Sequence, residues 1–246
     1  MHRGFRIPRY TLPAVAACLL SIPAFGATSG LTVNGSAKIF TGPGGGPVIL
    51  LTPAQQSQAG SVFTTKSIVF DSTYTFATFF QFKMTDPGYY GASDGMTFVL
   101  QTEGASALGA NGGDLGYAGI TPSVAVEFDT WQNPFDINDN HVAVLTDGQL
   151  NDLDPQTPYG VTNCQPTGGF GCMNDGDVWY VWIDYDGTTL HVALADNTDV
   201  RPANLINYAI DIPSILGGSS AYIGFTAGTG AGSENHYVMN FKPGNP

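Results

Sequence analysis

The chain has 246 residues, with 8 Lys and Arg against 20 Asp and Glu, a formal charge of −12 at pH 7. That balance disfavours nucleic acid and anionic membrane surfaces as partners. Gly is abundant, at 32 residues, and no long helical periodicity appears, so the chain reads as all-β.

Residues 1–26 read as an export signal. Arg3, Arg6 and Arg9 form a basic start, 10–22 is mostly apolar, and Ala24 and Gly26 offer small residues for cleavage before Ala27. The apolar run is too short and too broken by proline to span a membrane. Val15, Ala16, Ala17 and Cys18 resemble a lipoprotein box, but the apolar run continues past Cys18 and points to ordinary cleavage. Removing the leader leaves 5 basic residues against 20 acidic ones, a formal charge of −15. The remaining 27–246 is long enough for one substantial core and shows no linker or internal repeat. Asn34-Gly35-Ser36 is a glycosylation sequon.

Strand-like runs follow at 67–70, 74–82, 96–100, 124–129, 142–145, 178–185, 189–195, 221–227 and 236–241. Turn clusters such as Asp86-Pro87-Gly88 and Asp186-Gly187 separate them, and Asp186-Gly187 predicts a hairpin. Many short strands with regular turns predict a single sandwich or jelly roll.

The stretch 124–141 begins as an apolar strand and ends in a loop crowded with oxygen donors and one imidazole. Alternation puts Glu127, Asp129 and Trp131 on one face and Val126, Phe128 and Thr130 on the other. Two carboxylates on one half-buried face repel each other and lose hydration, so a cation is the expected compensation. Asp129, Asn133 and Asp136 suit a hard ion such as Ca²⁺. Glu127 and His141, sharing the two aspartates, suit Mn²⁺ or a similar divalent ion. The same acidic pair also has a catalytic reading. Glu127 and Asp129, with Cα atoms ~6.6 Å apart, imitate the carboxylates of a sandwich-fold glucanase, although a third acid would be wanted where Trp131 stands. Downstream, Cys164 and Cys172 bracket a turn-rich loop, and in an exported protein the pair reads as a disulfide.

The order Glu127, Asp129, Trp131, Asn133, Asp136, His141 resembles the metal-binding loop of the legume-type (L-type) lectins. Further resemblance runs through 74–82 and 93–98, through 178–187, and through 222–231, which together extend over most of the chain. The resemblance implies a concanavalin-like jelly-roll β-sandwich with a flat back sheet and a curved front sheet. It implies that Glu127, Asp129, Asp136 and His141 hold a transition ion, and that Asp129, the Trp131 carbonyl, Asn133 and Asp136 hold Ca²⁺. It implies a carbohydrate or glycoconjugate partner. Asp94 would accept hydrogen bonds from two hydroxyls, and the Gly113 N–H and the Asn133 amide would donate. Trp131 would stack on the ring, and Ala231 and Gly232 would shape specificity. It also implies a cis Ser93–Asp94 peptide. Lectins of this kind are not enzymes.

The region after Leu145 and its cysteine loop depart from the plant members and, with the leader, suggest a bacterial homologue that is secreted or periplasmic. A homodimer through the back sheet stays open. Two other readings stay open too: the hydrolase above, and a structural surface or matrix protein whose lectin site is vestigial.

Overall fold

Alternation drives the architecture. In 80–84 every second side chain is apolar, and Phe80, Phe82 and Met84 are fully buried while Gln81 and Lys83 between them are not. The computed structural model describes residues 30–70, 73–151, 159–161 and 172–243. The predicted leader and Cys164 lie outside the described residues.

Among the described residues the strands are β1 (Leu31–Gly35), β2 (Lys38–Thr41), β3 (Pro47–Thr52), β4 (Ala59–Thr64), β5 (Ile68–Val69), β6 (Phe76–Thr85), β7 (Gly95–Gln101), β8 (Ser123–Asp129), β9 (His141–Thr146), β10 (Tyr159–Val161), β11 (Trp179–Tyr185), β12 (Thr189–Asp196), β13 (Ile206–Ala209), β14 (Ser220–Gly228) and β15 (Asn235–Pro243). One short helix, α1 (Ile212–Leu216), starts from an Asp211 side chain that accepts from the Ser214 N–H. The strands form two antiparallel sheets. One runs β1-β4-β14-β7-β8-β9-β10, with β5 also paired to β14; the other runs β13-β12-β11-β6-β15-β3-β2. This is the all-β jelly-roll sandwich predicted from the strand pattern.

The two inner faces meet in one aromatic core. Phe80 of one sheet packs edge-on to Phe225 at 4.9 Å and stacks near Phe98 at 5.9 Å, and Phe82 packs on Phe128 at 5.2 Å. The predicted hairpin joins β11 and β12, where Asp186 Oδ1 accepts from the Thr188 and Thr189 N–H groups. The early strands β1 to β4 and the edge strands β10 and β13 carried no clear prediction. In most of them apolar residues are few or mixed with polar ones and pairing with neighbours defines them, whereas β3 holds the apolar run Val48–Leu51, which the strand reading passed over.

One expectation needs correction. The outer face of β8 is not half-buried: the whole strand is buried on both faces. Residues Ala107, Leu115, Tyr117 and Ile120, from the connection between β7 and β8, fold back over Val99, Ala125, Ala143 and Leu145 as a small second core. Glu127 and Asp129 therefore sit under a third layer. The sequon is also engaged: the Asn34 amide donates to Ser61 Oγ and to the Ala105 carbonyl, both at 3.0 Å.

Candidate functional site

The β8–β9 register assembles the acidic group. Asp129 stands opposite His141, and Glu127 stands opposite Ala143. Asp129 and His141 are thus direct neighbours on the outer face, with Glu127 diagonal to His141. Ligand atoms of Glu127, Asp129 and His141 lie within 4.8 Å of one another. The three side chains are 2, 2 and 0% exposed. His141 Nδ1 lies 3.0 Å from the Asn138 carbonyl, and Nε2 lies 3.1 Å from Glu127 Oε1. A carbonyl only accepts, so Nδ1 carries a proton, and in a neutral ring the Nε2 lone pair would face the carboxylate. A proton or a cation must mediate between them, and a carbonyl that accepts from the far nitrogen is the usual setting of a ligating histidine. Burial, and next the Glu127 charge, push the Asp129 carboxyl well above the ordinary carboxylate range; His141 opposes this and Asp136 adds to it.

The loop that follows folds on the same carboxylates. The Trp131 N–H donates to Asp129 Oδ1 at 2.7 Å, and the Asn133 N–H donates to Asp136 Oδ2. Asp136 is 6% exposed. The Met173 N–H donates to Asn140 Oδ1, tying the loop end to the segment before β11. Glu127, Asp129 and His141 so gathered could hold a metal ion, with the Asp136 carboxylate close enough to act on Asp129.

Asp94 stands just before β7, where Gly95 is opposite both Asp129 and Gly228. Its N–H donates to the Gly228 carbonyl, and its carbonyl accepts from the Thr130 N–H at 2.9 Å. The Ser93–Asp94 peptide is cis. Burial pushes the Asp94 carboxyl up to about 6, against the opposing influence of His236, the Ser93 hydroxyl and the Gly230 N–H. A Cβ at Gly230 would lie 3.0 Å from Asp94 Oδ2 and 3.4 Å from Gly112 Cα. A Cβ at Gly113 would lie 2.5 Å from Asn133 Nδ2. That Nδ2 is buried with no hydrogen-bond partner among the described residues.

Asp94, Gly113, Asn133 and the 230–232 loop thus converge at one end of the sandwich. Trp131 stands exposed beside them, its ring within 3.8 Å of a Cβ built at Gly91. Gly232 is buried against Ser93, and Ala231 is exposed while its carbonyl accepts from Gln56 Nε2.

Several contributors were not anticipated. Gly230 and Thr130 contact Asp94 directly. Behind them lie Glu234 and His236, both fully buried, with His236 Nε2 3.4 Å from Glu234 Oε1 and Nδ1 2.6 Å from Thr52 Oγ1. Thr130 Oγ1 donates to Glu234 Oε1 and lies 3.1 Å from the Asp94 carbonyl. The signal was an acid and an imidazole two apart at the start of the last strand, a spacing that only pairing with β3 and β6 gives meaning.

A family model described as the legume lectin beta-barrel domain matches residues 26–242. The chain belongs to the L-type lectin family. Among curated proteins, the lectin chain is 31% identical to the L-type lectin-domain containing receptor kinase I.7 of Arabidopsis thaliana, over 89% of this chain and 34% of that protein. It spans about a third of the length of the curated relatives it matches. Among solved structures, the winged bean acidic lectin complexed with methyl-alpha-D-galactose has a TM-score of 0.69 at 24% identity, covering 88% of this chain and 93% of that one. A lectin from Bauhinia forficata in complex with GalNAc has a TM-score of 0.68 at 20% identity, covering 90% and 94%. The receptor-kinase relatives are plant proteins and lend no support to the bacterial origin read from the leader and cysteine loop. Among the described residues, no helix of the lectin chain is long and apolar enough to cross a membrane.

Proposed function

We propose that this lectin domain binds a carbohydrate at the end of the sandwich, at a site organised by Ca²⁺ and by Mn²⁺ or a similar ion. The observation that carries the reading is the buried, unpartnered Asn133 Nδ2 beside Gly113, at the same end as the Asp94 carboxylate. A buried amide donor without a partner costs about 1–3 kcal/mol, and a sugar hydroxyl is its natural acceptor. Asp94 accepts from two hydroxyls, the Gly113 N–H donates, and Trp131 covers an apolar ring face. Glu127, Asp129, Asp136 and His141 would hold the transition ion; Asp129, the Trp131 carbonyl, Asn133 and Asp136 would hold Ca²⁺. Bound, the ions would supply fixed positive charge among the buried carboxylates and hold the loop in shape, lowering the ordering cost of binding.

The winged bean and Bauhinia lectins, solved with a galactoside and with GalNAc, support the substrate class. The 2% exposure of Glu127 and Asp129 weighs against hydrolysis, which needs carboxylates in reach of a glycosidic bond. The intact set Asp94, Gly113 and Asn133 weighs against a vestigial site. The remaining parts of the reading are an exported, extracellular protein with a cleaved leader 1–26, a single lectin domain over 27–246, a Cys164–Cys172 disulfide and a homodimer. Receptor-kinase relatives support the extracellular part. A glycan array read with Ca²⁺ and Mn²⁺, and again with excess EDTA, tests the function. Binding that EDTA and Asp94→Ala each abolish is the expected result; a blank array, or binding indifferent to both, rejects it.

A further inference from the structure

We infer that Tyr89 and Tyr90 form a second, aromatic subsite beside the sugar site, which selects neutral oligosaccharides over single sugars. The inference rests on the proposed carbohydrate site and extends it.

Tyr89 is 94% exposed and Tyr90 62% exposed, the two most solvent-open aromatic rings among the described large hydrophobic residues. Aromatic rings are normally drawn under cover, and a cluster left in water marks a contact surface. These two stand edge to face with centroids 5.0 Å apart, so they offer two differently turned ring faces. Their backbone is held firmly. Gly88 and Gly91 bridge across the turn, with the Gly91 N–H donating to the Gly88 carbonyl at 3.1 Å. The turn is then clamped to the far loop of the site: the Gly88 N–H donates to the Ser233 carbonyl at 2.7 Å, and the Ser233 N–H donates to the Gly91 carbonyl at 2.9 Å. Side-chain freedom aside, the rings are presented in place, which lowers the ordering cost of a ligand that uses them.

Continuity with the sugar site identifies the occupant. Gly91 closes the turn on one side and lies against the Trp131 ring on the other. Its carbonyl would be 2.9 Å from a Cβ at Gly232, in the specificity loop. Tyr90 is four residues from Asp94, so their Cα atoms are at most about 14 Å apart. The turn that carries Tyr89 and Tyr90 therefore lies beside Trp131 and the 230–233 loop, next to the position where Asp94 and Asn133 would hold the first sugar. Successive sugars of one glycan present apolar C–H faces to such rings. The net charge of −12 disfavours an anionic chain there, leaving a neutral one.

The test compares an array of neutral and sialylated di- to hexasaccharides with the methyl glycosides of galactose, N-acetylgalactosamine, glucose and mannose, all in Ca²⁺ and Mn²⁺. For the neutral glycan that binds best, the ratio of its affinity to that of its terminal methyl glycoside is measured by calorimetry. In Y89A/Y90A the ratio falls about tenfold, the worth of two modest ring contacts. In Y89F/Y90F, which keeps both rings, it stays within about twofold. Both rings are exposed, so the variants keep the wild-type melting temperature, which is checked alongside. An unchanged ratio in Y89A/Y90A, an equal fall in Y89F/Y90F, or a preference for sialylated glycans overturns the inference while Asp94→Ala still abolishes binding. Binding that survives Asp94→Ala, or a blank array, instead removes the carbohydrate site itself and the subsite with it.

Discussion

At the scale of single residues, Asp94 carries two opposed pH dependences. Burial pushes its carboxyl up to about 6, whereas sugar binding in the proposed mode needs it ionised. Glycan affinity should therefore fall as pH drops through about 6, and a binding series from pH 7.5 to 5 reads this directly. The sign for folding is reversed. The fold holds the Asp94 proton more tightly than the unfolded chain, whose ordinary value is 3.8, so this residue destabilises the unliganded fold as pH rises between the two. Asp94→Asn removes the charge while keeping the shape. It should weaken glycan binding about 10- to 100-fold, yet raise the melting temperature of the unliganded protein above pH 6. Calorimetry and thermal unfolding on the same variant check both halves, and a variant that lost both binding and stability would contradict the assignment. Gly113 gives a second test. An added Cβ would meet the Asn133 amide at 2.5 Å, so Gly113→Ala should displace that donor. Glycan affinity should drop at least about tenfold, while a far-ultraviolet circular dichroism spectrum stays that of the wild type.

At the scale of elements, the β8–loop–β9 unit explains how spacing in sequence becomes a site. Glu127 and Asp129 are two apart on one strand, and His141 opposite Asp129 starts the next. The residue order across 127–141 was legible because all its candidate residues come from one hairpin. So was the strand character of β6, β7, β8, β11, β12, β14 and β15, which have long apolar or alternating runs. Three things were not legible. The cover over β8 comes from Ala107, Leu115, Tyr117 and Ile120, scattered through a Gly-rich connection with no period to read. Glu234 and His236 acquire a role only through packing behind Thr130. Strands β1, β2 and β4 are short and mixed in composition, so pairing rather than pattern defines them, whereas the apolar run Val48–Leu51 of β3 could have been read. The buried cluster makes a prediction of its own. Asp129 holds a proton well above its ordinary range in the metal-free protein, and a cation must displace it. Titration with Mn²⁺ or Ca²⁺ should release protons, so the apparent binding enthalpy should change between buffers of different ionisation enthalpy. Metal affinity should rise with pH, because the raised Asp129 proton competes with the cation. A buffer-independent enthalpy at neutral pH would mean that the carboxylates are already ionised.

At the scale of the whole molecule, the site and the main core are separable in the sandwich. The aromatic core of Phe80, Phe82, Phe98, Phe128 and Phe225 lies between the sheets. Glu127, Asp129 and His141 lie on the opposite face of the site-bearing sheet, next to the smaller core of Ala107, Leu115 and Tyr117. Removing cations should thus leave a folded protein with both sheets intact, melting in one cooperative step at a lower temperature. Ligation to the folded state alone adds about 2.7 kcal/mol at a hundredfold excess over Kd. For a chain of this size that corresponds to about 5–10 °C in Tm. Ile183 serves as the contrast. It is fully buried on β11 in the other sheet, and Ile183→Ala should cost about 2–5 kcal/mol. Because it shares no element with the cation cluster, that loss should be the same with metal and with EDTA, and the two effects should add. Differential scanning calorimetry of both proteins under both conditions gives the four melting points. Additive shifts would confirm a core that stands without its cations. A metal-free protein lacking a cooperative transition would show instead that the buried carboxylates cannot be accommodated in the fold without the ions that balance them.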